Sequence, residues 1–342
     1  MTVAAEDAEA MTRPRSGASW RHPAVRIAGS VVILGLLFTV LPFGDLVEAL
    51  RRVPRIVWPA ALLIYMCLHL VGVVKWRLLI NAAGAGLSLS QATRCYYWGL
   101  FGNTFLPSIV GGDVVRAGMA FRFARSKSAL VLGSLIDRLL DIIGLATVAG
   151  VGALLSPRAL DPQSRRIFLA LAGLMAVGGL AAAAALALVP MRRLPFRVRR
   201  KLVLVRRAIR ATAARPQLLV AAFLLGVALQ SLLVLLNWWL GRVCGIDIPV
   251  YVWLFVWPLA KISGLLPVSQ GGIGVREAAQ AALFAPFGVS AVLAVAVGLI
   301  FEAVIITGGL LGGLVAIVLG RLDAGPRGRS ARAGDEPLAR PS

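Results

Sequence analysis

The sequence is poor in the residues that most often build soluble active sites. It has three cysteines and two histidines in 342 residues, and charged residues make up 15% of it, against roughly 25% in soluble domains. Cys67, Cys95 and Cys244 are far apart, and no Cys or His residues have the spacing of a metal or redox site. No metal and no cofactor are therefore predicted. Cys67 and His69 fall inside an apolar run, and we expect both to face other helices.

Apolar residues, in contrast, make up 59% of the chain, and the formal net charge is +21. The basic residues flank long apolar runs, which indicates contact with anionic lipid headgroups and a role in membrane topology. Nucleic-acid binding is not expected, because arginines and aromatic residues do not alternate on a polar surface. This composition predicts a membrane protein.

Six runs are long enough to cross a hydrocarbon core of ~30 Å, which takes about 20 helical residues. These runs are 27–43, 57–74, 128–156, 167–190, 218–240 and 289–319. Two further apolar runs, 96–110 and 251–268, lead into a proline and then a glycine pair, a pattern typical of broken or re-entrant helices. The predicted fold is an all-α polytopic membrane protein with about six full transmembrane helices and two re-entrant or broken helices in an inverted repeat.

The distribution of basic residues predicts the topology. If the N-terminus is cytoplasmic, the segments on that side hold 26 of the 36 Lys and Arg residues, so both termini are predicted to be cytoplasmic. We expect a multi-pass protein of the bacterial inner membrane with one membrane domain, 23–320. The predicted parts are disordered ends at 1–22 and 321–342, pseudo-repeats at about 57–156 and 217–320, and a linker at 157–216.

Segment 191–217 carries ten Lys or Arg residues and no acidic residue. Two interpretations stay open for it. It could form an amphipathic helix that lies on an anionic leaflet, or it could be a solvated determinant of topology.

An internal repeat is the main indication of function. The eleven residues from Leu106 to Arg116 match those from Leu266 to Arg276 at six positions, without a gap and with an offset of 160 residues. Three predicted spans separate the copies, so the second copy is expected to be inverted. Short interrupted segments at matching positions in two inverted halves indicate a transporter-type binding site near the bilayer midplane.

The chemistry of the two breaks suits an anion. Pro107 and Pro267 end the incoming helices. The glycines that follow would let backbone N–H groups and a helix N-terminus approach a ligand, and Arg116 and Arg276 could hold a phosphate or carboxylate. Alternatively, the glycines form tight turns, Asp113 is a helix N-cap and the arginines extend toward the membrane surface.

A second group of charges, Asp137, Arg138 and Asp141, lies near mid-bilayer, where ionisable residues usually line a cavity or a proton path. Arg138 can reach Asp141, but it cannot neutralise both carboxylates, so another cation or a proton is expected. Glu302 is a further buried carboxylate, which Lys261, Gln270 and Glu277 could meet around the second break. The residues predicted to contact the substrate are Asn103, Pro107, Gly111, Gly112, Asp113, Arg116, Asp137, Arg138, Asp141, Pro267, Gly271, Gly272, Arg276, Glu277 and Glu302.

These motifs resemble the transmembrane region of lysylphosphatidylglycerol synthases and of related flippase-like integral membrane proteins, some linked to hopanoid or glycolipid transport. The residues that carry the resemblance are Lys75–Arg77, Asn103–Pro107, Gly111–Arg116, Asp137–Arg138, Leu266–Pro267 and Gly271–Glu277. The chain departs from this pattern at Glu302. The resemblance implies translocation or presentation of a lipid, from aminoacylated phosphatidylglycerol to polyprenyl-linked sugars and sterol-like lipids.

In the full synthases, the membrane region precedes a cytosolic acyltransferase-type domain that uses aminoacyl-tRNA. This chain ends about twenty residues after its last predicted span, so synthase activity is not expected. The leading hypothesis is a transporter or flippase for an anionic, glycosylated or isoprenoid lipid. The alternatives are a membrane partner subunit of a lipid glycosyltransferase, and an intramembrane lipid phosphotransferase with a divalent metal on Asp113, Asp137 and Asp141.

Overall fold

The computed structural model describes residues 43–106, 111–155, 203, 214–264 and 272–323, and within these ranges every regular element is helical. This confirms the predicted all-α fold. The helices are α1 (Phe43–Arg51), α2 (Val57–Ala82), α3 (Leu89–Phe105), α4 (Gly111–Ala120), α5 (Lys127–Leu155), α6 (Pro216–Val243), α7 (Val250–Ser263), α8 (Val275–Phe284) and α9 (Ala291–Asp323), with a short 3-10 helix (Ala285–Phe287) before α9.

Four helices of the described residues, α2, α5, α6 and α9, are long and apolar enough to cross a membrane. They match four of the six predicted spans. The spans predicted at 27–43 and 167–190, the end at 1–22 and most of segment 191–217 lie outside the described residues. Most of the tail predicted at 321–342 does too, but α9 continues to Asp323, so residues 321–323 are helical rather than disordered.

The helix α2 runs past the end predicted at Val74 and stops at Ala82. The apolar run stops at Lys75, but the Lys75 side chain is only 2% exposed and lies inside the helix bundle. The helix continues because acidic residues of α5 neutralise the ammonium group, so that burial of the charge does not force the chain out of the apolar region.

Two helix starts were missed. The helix α3 begins at Leu89, before the predicted start at Tyr96, because Ser88 and Gln91 form a capping box. The Gln91 N–H donates to Ser88 Oγ at 3.2 Å, and the Ser88 N–H donates to Gln91 Oε1 at 3.0 Å. The Ser-x-x-Gln spacing that marks this start was readable in the sequence. The second missed helix is the amphipathic α1, which buries Leu46 and Ala49 against the start of α9.

The order of elements occurs twice. A long helix, two short helices and a second long helix follow one another as α2 to α5, and again as α6 to α9. The bounds of matching helices differ by about 160 residues, the same offset as that between the two sequence motifs. The repeat predicted from eleven residues therefore extends over the helices around them.

Each pair of short helices forms a hairpin that returns to the end of the bundle where it began. In the first hairpin (α3 and α4), the loops at its two ends touch, because the Arg125 N–H donates to the Ala85 carbonyl at 2.9 Å. In the second hairpin (α7 and α8), the ring centroids of Trp253 near the start and Phe284 at the end lie 4.6 Å apart.

The two hairpins open at opposite ends of α9. The second hairpin leads through the 3-10 helix into the start of α9. The start of the first hairpin lies at the other end of α9, because Arg94 is close to Gly320: a Cβ added to Gly320 would lie 2.8 Å from Cζ of Arg94. Between these points, α9 presents Gly309, Gly312 and Gly313 to α3. Glycine lets the two helix backbones come close together.

Candidate functional site

A cavity of about 240 Å³ lies between the two hairpins, and helices α2 to α9 all contribute to its wall. Eight of the predicted site residues line it: Asn103, Gly112, Asp113, Arg116, Arg138, Asp141, Arg276 and Glu302. Asp137 and Glu277 do not line the cavity themselves, but they pair with Arg116 and Arg276, which do. Gly111 and Gly272 belong to the breaks without lining the cavity, and Pro107, Pro267 and Gly271 lie outside the described residues. The structure thus brings most of the predicted residues together.

The first half of the cavity wall is a network of buried ion pairs. Asp137 is 2% exposed, and its carboxylate lies 2.8 Å from Lys75 Nζ and 3.1 Å from a terminal guanidinium nitrogen of Arg116. Lys75 also bonds Asp141 at 2.6 Å. Lys75 and Arg116 therefore supply the extra cations that the charged group of α5 was expected to need, and Lys75 was missed as a site residue.

Asp113 connects this network to the first break. It lies 2.9 Å from Arg116, one turn along α4, and it also bonds Arg138 of α5. The expected role of Asp113 as an N-cap was wrong, because α4 begins at Gly111 and Asp113 lies inside its first turn. Arg138 was expected to pair with Asp141 of the same helix. Instead, Arg138 bonds Asp113 of α4, and Asp141 bonds Lys75 of α2.

The second half has a smaller network around Arg276. Its guanidinium bonds Glu302 of α9 and lies 3.4 Å from Glu277. The Gly274 N–H donates to Glu277 Oε2 at 2.6 Å, which fixes this fully buried carboxylate at the start of α8. In both halves, therefore, the arginine of the second short helix pairs with a carboxylate of the following long helix.

The glycines of the breaks serve close packing within the protein. The Gly112 N–H donates to Asn103 Oδ1 at 2.9 Å, and a Cβ at Gly112 would overlap the Asn103 side chain and the Gly99 carbonyl. Gly272 has a φ of +84°, and a Cβ there would lie 2.9 Å from the Gly264 Cα. The expectation that these glycines expose N–H groups to a ligand was wrong for Gly112, because its N–H already has a protein partner.

Lys261 of α7 also lines the cavity. Its ammonium donates to Gln230 Oε1 at 2.9 Å and lies 4.8 Å from the ring centroid of Trp257. Among the described residues, no carboxylate lies within ion-pair distance of it. Lys261 was expected to meet Glu302, but Glu302 bonds Arg276 instead, and Gln270 lies outside the described residues.

Histidine and aromatic side chains complete the wall. His69 lines the cavity and lies 3.2 Å from the Tyr96 hydroxyl, so its expected place inside the bundle was right but its contact with a cavity was missed. Cys67, which was expected to face other helices, is exposed on the outer surface of the described bundle. Periodicity in α2 could have separated these two residues, since they lie two positions apart and point in different directions.

One comparison with known proteins gives a family. The family model described as "Lysylphosphatidylglycerol synthase TM region" matches residues 24–313. No curated protein and no solved structure matches the chain.

Proposed function

The chain belongs to the lysylphosphatidylglycerol synthase transmembrane-region family, and we propose that it translocates or presents a membrane lipid whose headgroup occupies the cavity between the two hairpins. The family match places the chain among lipid-related membrane proteins. The finer function, movement or presentation of an anionic, glycosylated or isoprenoid lipid, is the proposal.

The observation that carries the proposal is the position of the cavity. It lies where two structurally repeated halves meet, and both halves contribute charged side chains to its wall. The two hairpins open at opposite ends of α9, which supports an inverted repeat. In transporters built from inverted repeats, broken helices form the substrate site near the midplane. A cavity lined by charged side chains inside a membrane domain favours a polar ligand over a purely structural role.

The size of the cavity favours a headgroup. A volume of about 240 Å³ is below the ~300–1,000 Å³ of pockets that enclose a whole drug-sized ligand. Acyl or isoprenoid chains would therefore remain in the surrounding lipid. With this arrangement we also propose cytoplasmic termini and insertion in a bacterial inner membrane.

The metal-dependent alternative receives less support. Asp113, Asp137 and Asp141 are each bonded to Lys or Arg side chains, so a divalent ion would have to compete with these cations for the carboxylates.

The test uses a pair of neighbouring residues on α6. Leu233 lines the cavity, whereas Leu232 is 38% exposed on the outer surface. Leu233→Trp should fill the cavity, and Leu232→Trp should leave it open. The purified protein would be reconstituted into liposomes that contain phosphatidylglycerol with a fluorescent acyl chain. Quenching of this fluorescence by added dithionite would report transbilayer movement of the lipid.

We expect wild type and Leu232→Trp to move the lipid, and Leu233→Trp to move it at least tenfold more slowly while eluting as a monodisperse species. The proposed translocation is wrong if wild-type liposomes behave like protein-free liposomes. The proposed site is wrong if both tryptophan variants are equally active.

A further inference from the structure

We propose that Lys261, and neither arginine of the repeated motif, binds the anionic group of the ligand, and that this group is a phosphate ester. The inference rests on the proposed function and identifies the chemistry that the cavity recognises.

The arginines are already neutralised within the protein. Arg116 contacts Asp113 at 2.9 Å and Asp137 at 3.1 Å, and its guanidinium also lies 4.7 Å from the centroid of the Trp76 ring. Arg276 contacts Glu302 and Glu277. A negatively charged ligand at either arginine would also lie close to these carboxylates, and their repulsion opposes its binding.

No carboxylate of the described residues is in direct contact with Lys261. Its hydrogen-bond partner, Gln230, is a neutral amide, which orients the ammonium without cancelling its charge. An ammonium group has three N–H donors, and the Gln230 bond uses one of them. In the part of the chain that the structure describes, Lys261 is thus the cation of the cavity wall whose charge no carboxylate within ion-pair distance balances.

The polar atoms of cavity-lining residues that have no hydrogen-bond partner within the described residues include Nε1 of Trp257, whose ring lies beside Lys261, and Nε2 of His69. Buried polar atoms are nearly always satisfied, so a polar ligand group in the cavity would supply a partner that these two atoms lack. The indole N–H can only donate a hydrogen bond. A group with several acceptor oxygens and a negative charge matches Lys261 and Trp257 together.

A phosphate ester meets these requirements better than a carboxylate, because its oxygens point in several directions and can reach donors on separate helices. Lys261 and Trp257 belong to α7 and His69 belongs to α2. The ester could come from a lipid or from a soluble molecule, and the experiment below distinguishes the two sources.

The experiment measures binding of dioleoylphosphatidylglycerol to the purified full chain in detergent micelles, by native mass spectrometry across a lipid titration. Dioleoylglycerol, which lacks the phosphate, is the comparison lipid, and glycerol 3-phosphate is the soluble probe. The variants are Lys261→Gln, Lys261→Arg and, as a control, Arg242→Gln, which removes a partly exposed cation outside the cavity.

We expect Lys261→Gln to weaken phosphatidylglycerol binding about ten- to a hundredfold, the usual effect of losing a charge-assisted contact. Dioleoylglycerol binding should not change, and Arg242→Gln should match wild type. Lys261→Arg keeps the charge and should stay within a few fold of wild type, which separates loss of the ligand contact from loss of folding.

If wild type binds phosphatidylglycerol and Lys261→Gln binds it equally well, the role of Lys261 is wrong while the proposed function stands. If wild type binds neither lipid, the proposed function is wrong. If glycerol 3-phosphate alone binds as tightly as the lipid and depends on Lys261, the phosphate site is right, but its natural ligand is soluble.

Discussion

Replacing Lys75 with methionine tests whether the buried ion network holds the first half of the cavity together. Methionine keeps most of the side-chain length and removes the ammonium, which lies 2.8 Å from Asp137 and 2.6 Å from Asp141. Removing one partner of a buried ion pair costs about 3–5 kcal/mol, because the remaining charge stays in a medium of low polarity. We expect about 3 kcal/mol, since Asp137 keeps its contact with Arg116.

The matched control is Arg52→Met. Arg52 pairs with Glu48, but the two side chains are 75% and 62% exposed, and exposed pairs contribute about 0–1 kcal/mol. The free energy of unfolding would be measured from tryptophan fluorescence during titration with sodium dodecyl sulfate in dodecyl maltoside micelles.

A second substitution checks the mechanism. Adding Asp141→Asn to Lys75→Met removes the carboxylate that lost its closest cation, so the double variant should recover at least 1 kcal/mol relative to Lys75→Met. If Lys75→Met loses no more stability than Arg52→Met, or if Asp141→Asn adds a further loss, the network does not stabilise the fold as described.

Three further outcomes are expected. Gly112→Ala should lower the thermal unfolding temperature, because its Cβ would overlap Asn103. Gly118→Ala, whose Cβ would meet nothing within 4 Å, should be neutral or slightly stabilising, and equal effects of the two substitutions would contradict the close packing at Gly112. Single cysteines near Arg122 and near Ile248, in a cysteine-free background, should react with a membrane-impermeant maleimide from opposite sides of the membrane; labelling from one side would exclude the inverted repeat. Asp137→Asn should leave the protein inserted but slow lipid movement in liposomes, and full activity would make this residue purely structural.

The elements that sequence reasoning located are those defined by local chemistry. The long helices α2, α5, α6 and α9 appear as apolar runs, and the breaks appear as a proline followed by glycines. The predicted helix boundary was wrong where a charge interrupts an apolar run. At Lys75, hydropathy indicates the end of a span, but the partners that allow the helix to continue lie more than 60 residues away along the chain.

The same limit explains the errors at the site. The sequence indicated that Arg116 and Arg276 lie near the breaks, but it could not show that Asp137 and Glu302 already neutralise them. Spacing along one helix suggested a pair between Arg138 and Asp141, whereas the structure joins residues across helices. Lys261 was visible in the sequence, but the absence of a carboxylate in contact with it among the described residues is a property of the folded chain.

The glycines of α9 have a mechanical consequence. The second hairpin is fastened to α9 by directional contacts: Arg276 bonds Glu302, and the Gln280 amide donates to the Ala294 carbonyl at 3.2 Å. The first hairpin meets Gly309 and Gly313 of α9 through close packing, with the Thr104 and Phe101 side chains of α3 filling the space beside these glycines. A displacement that opens the cavity would therefore break ion-pair and hydrogen-bond contacts at the second hairpin but only van der Waals contacts at these glycines, so the second hairpin and α9 are expected to move as one piece.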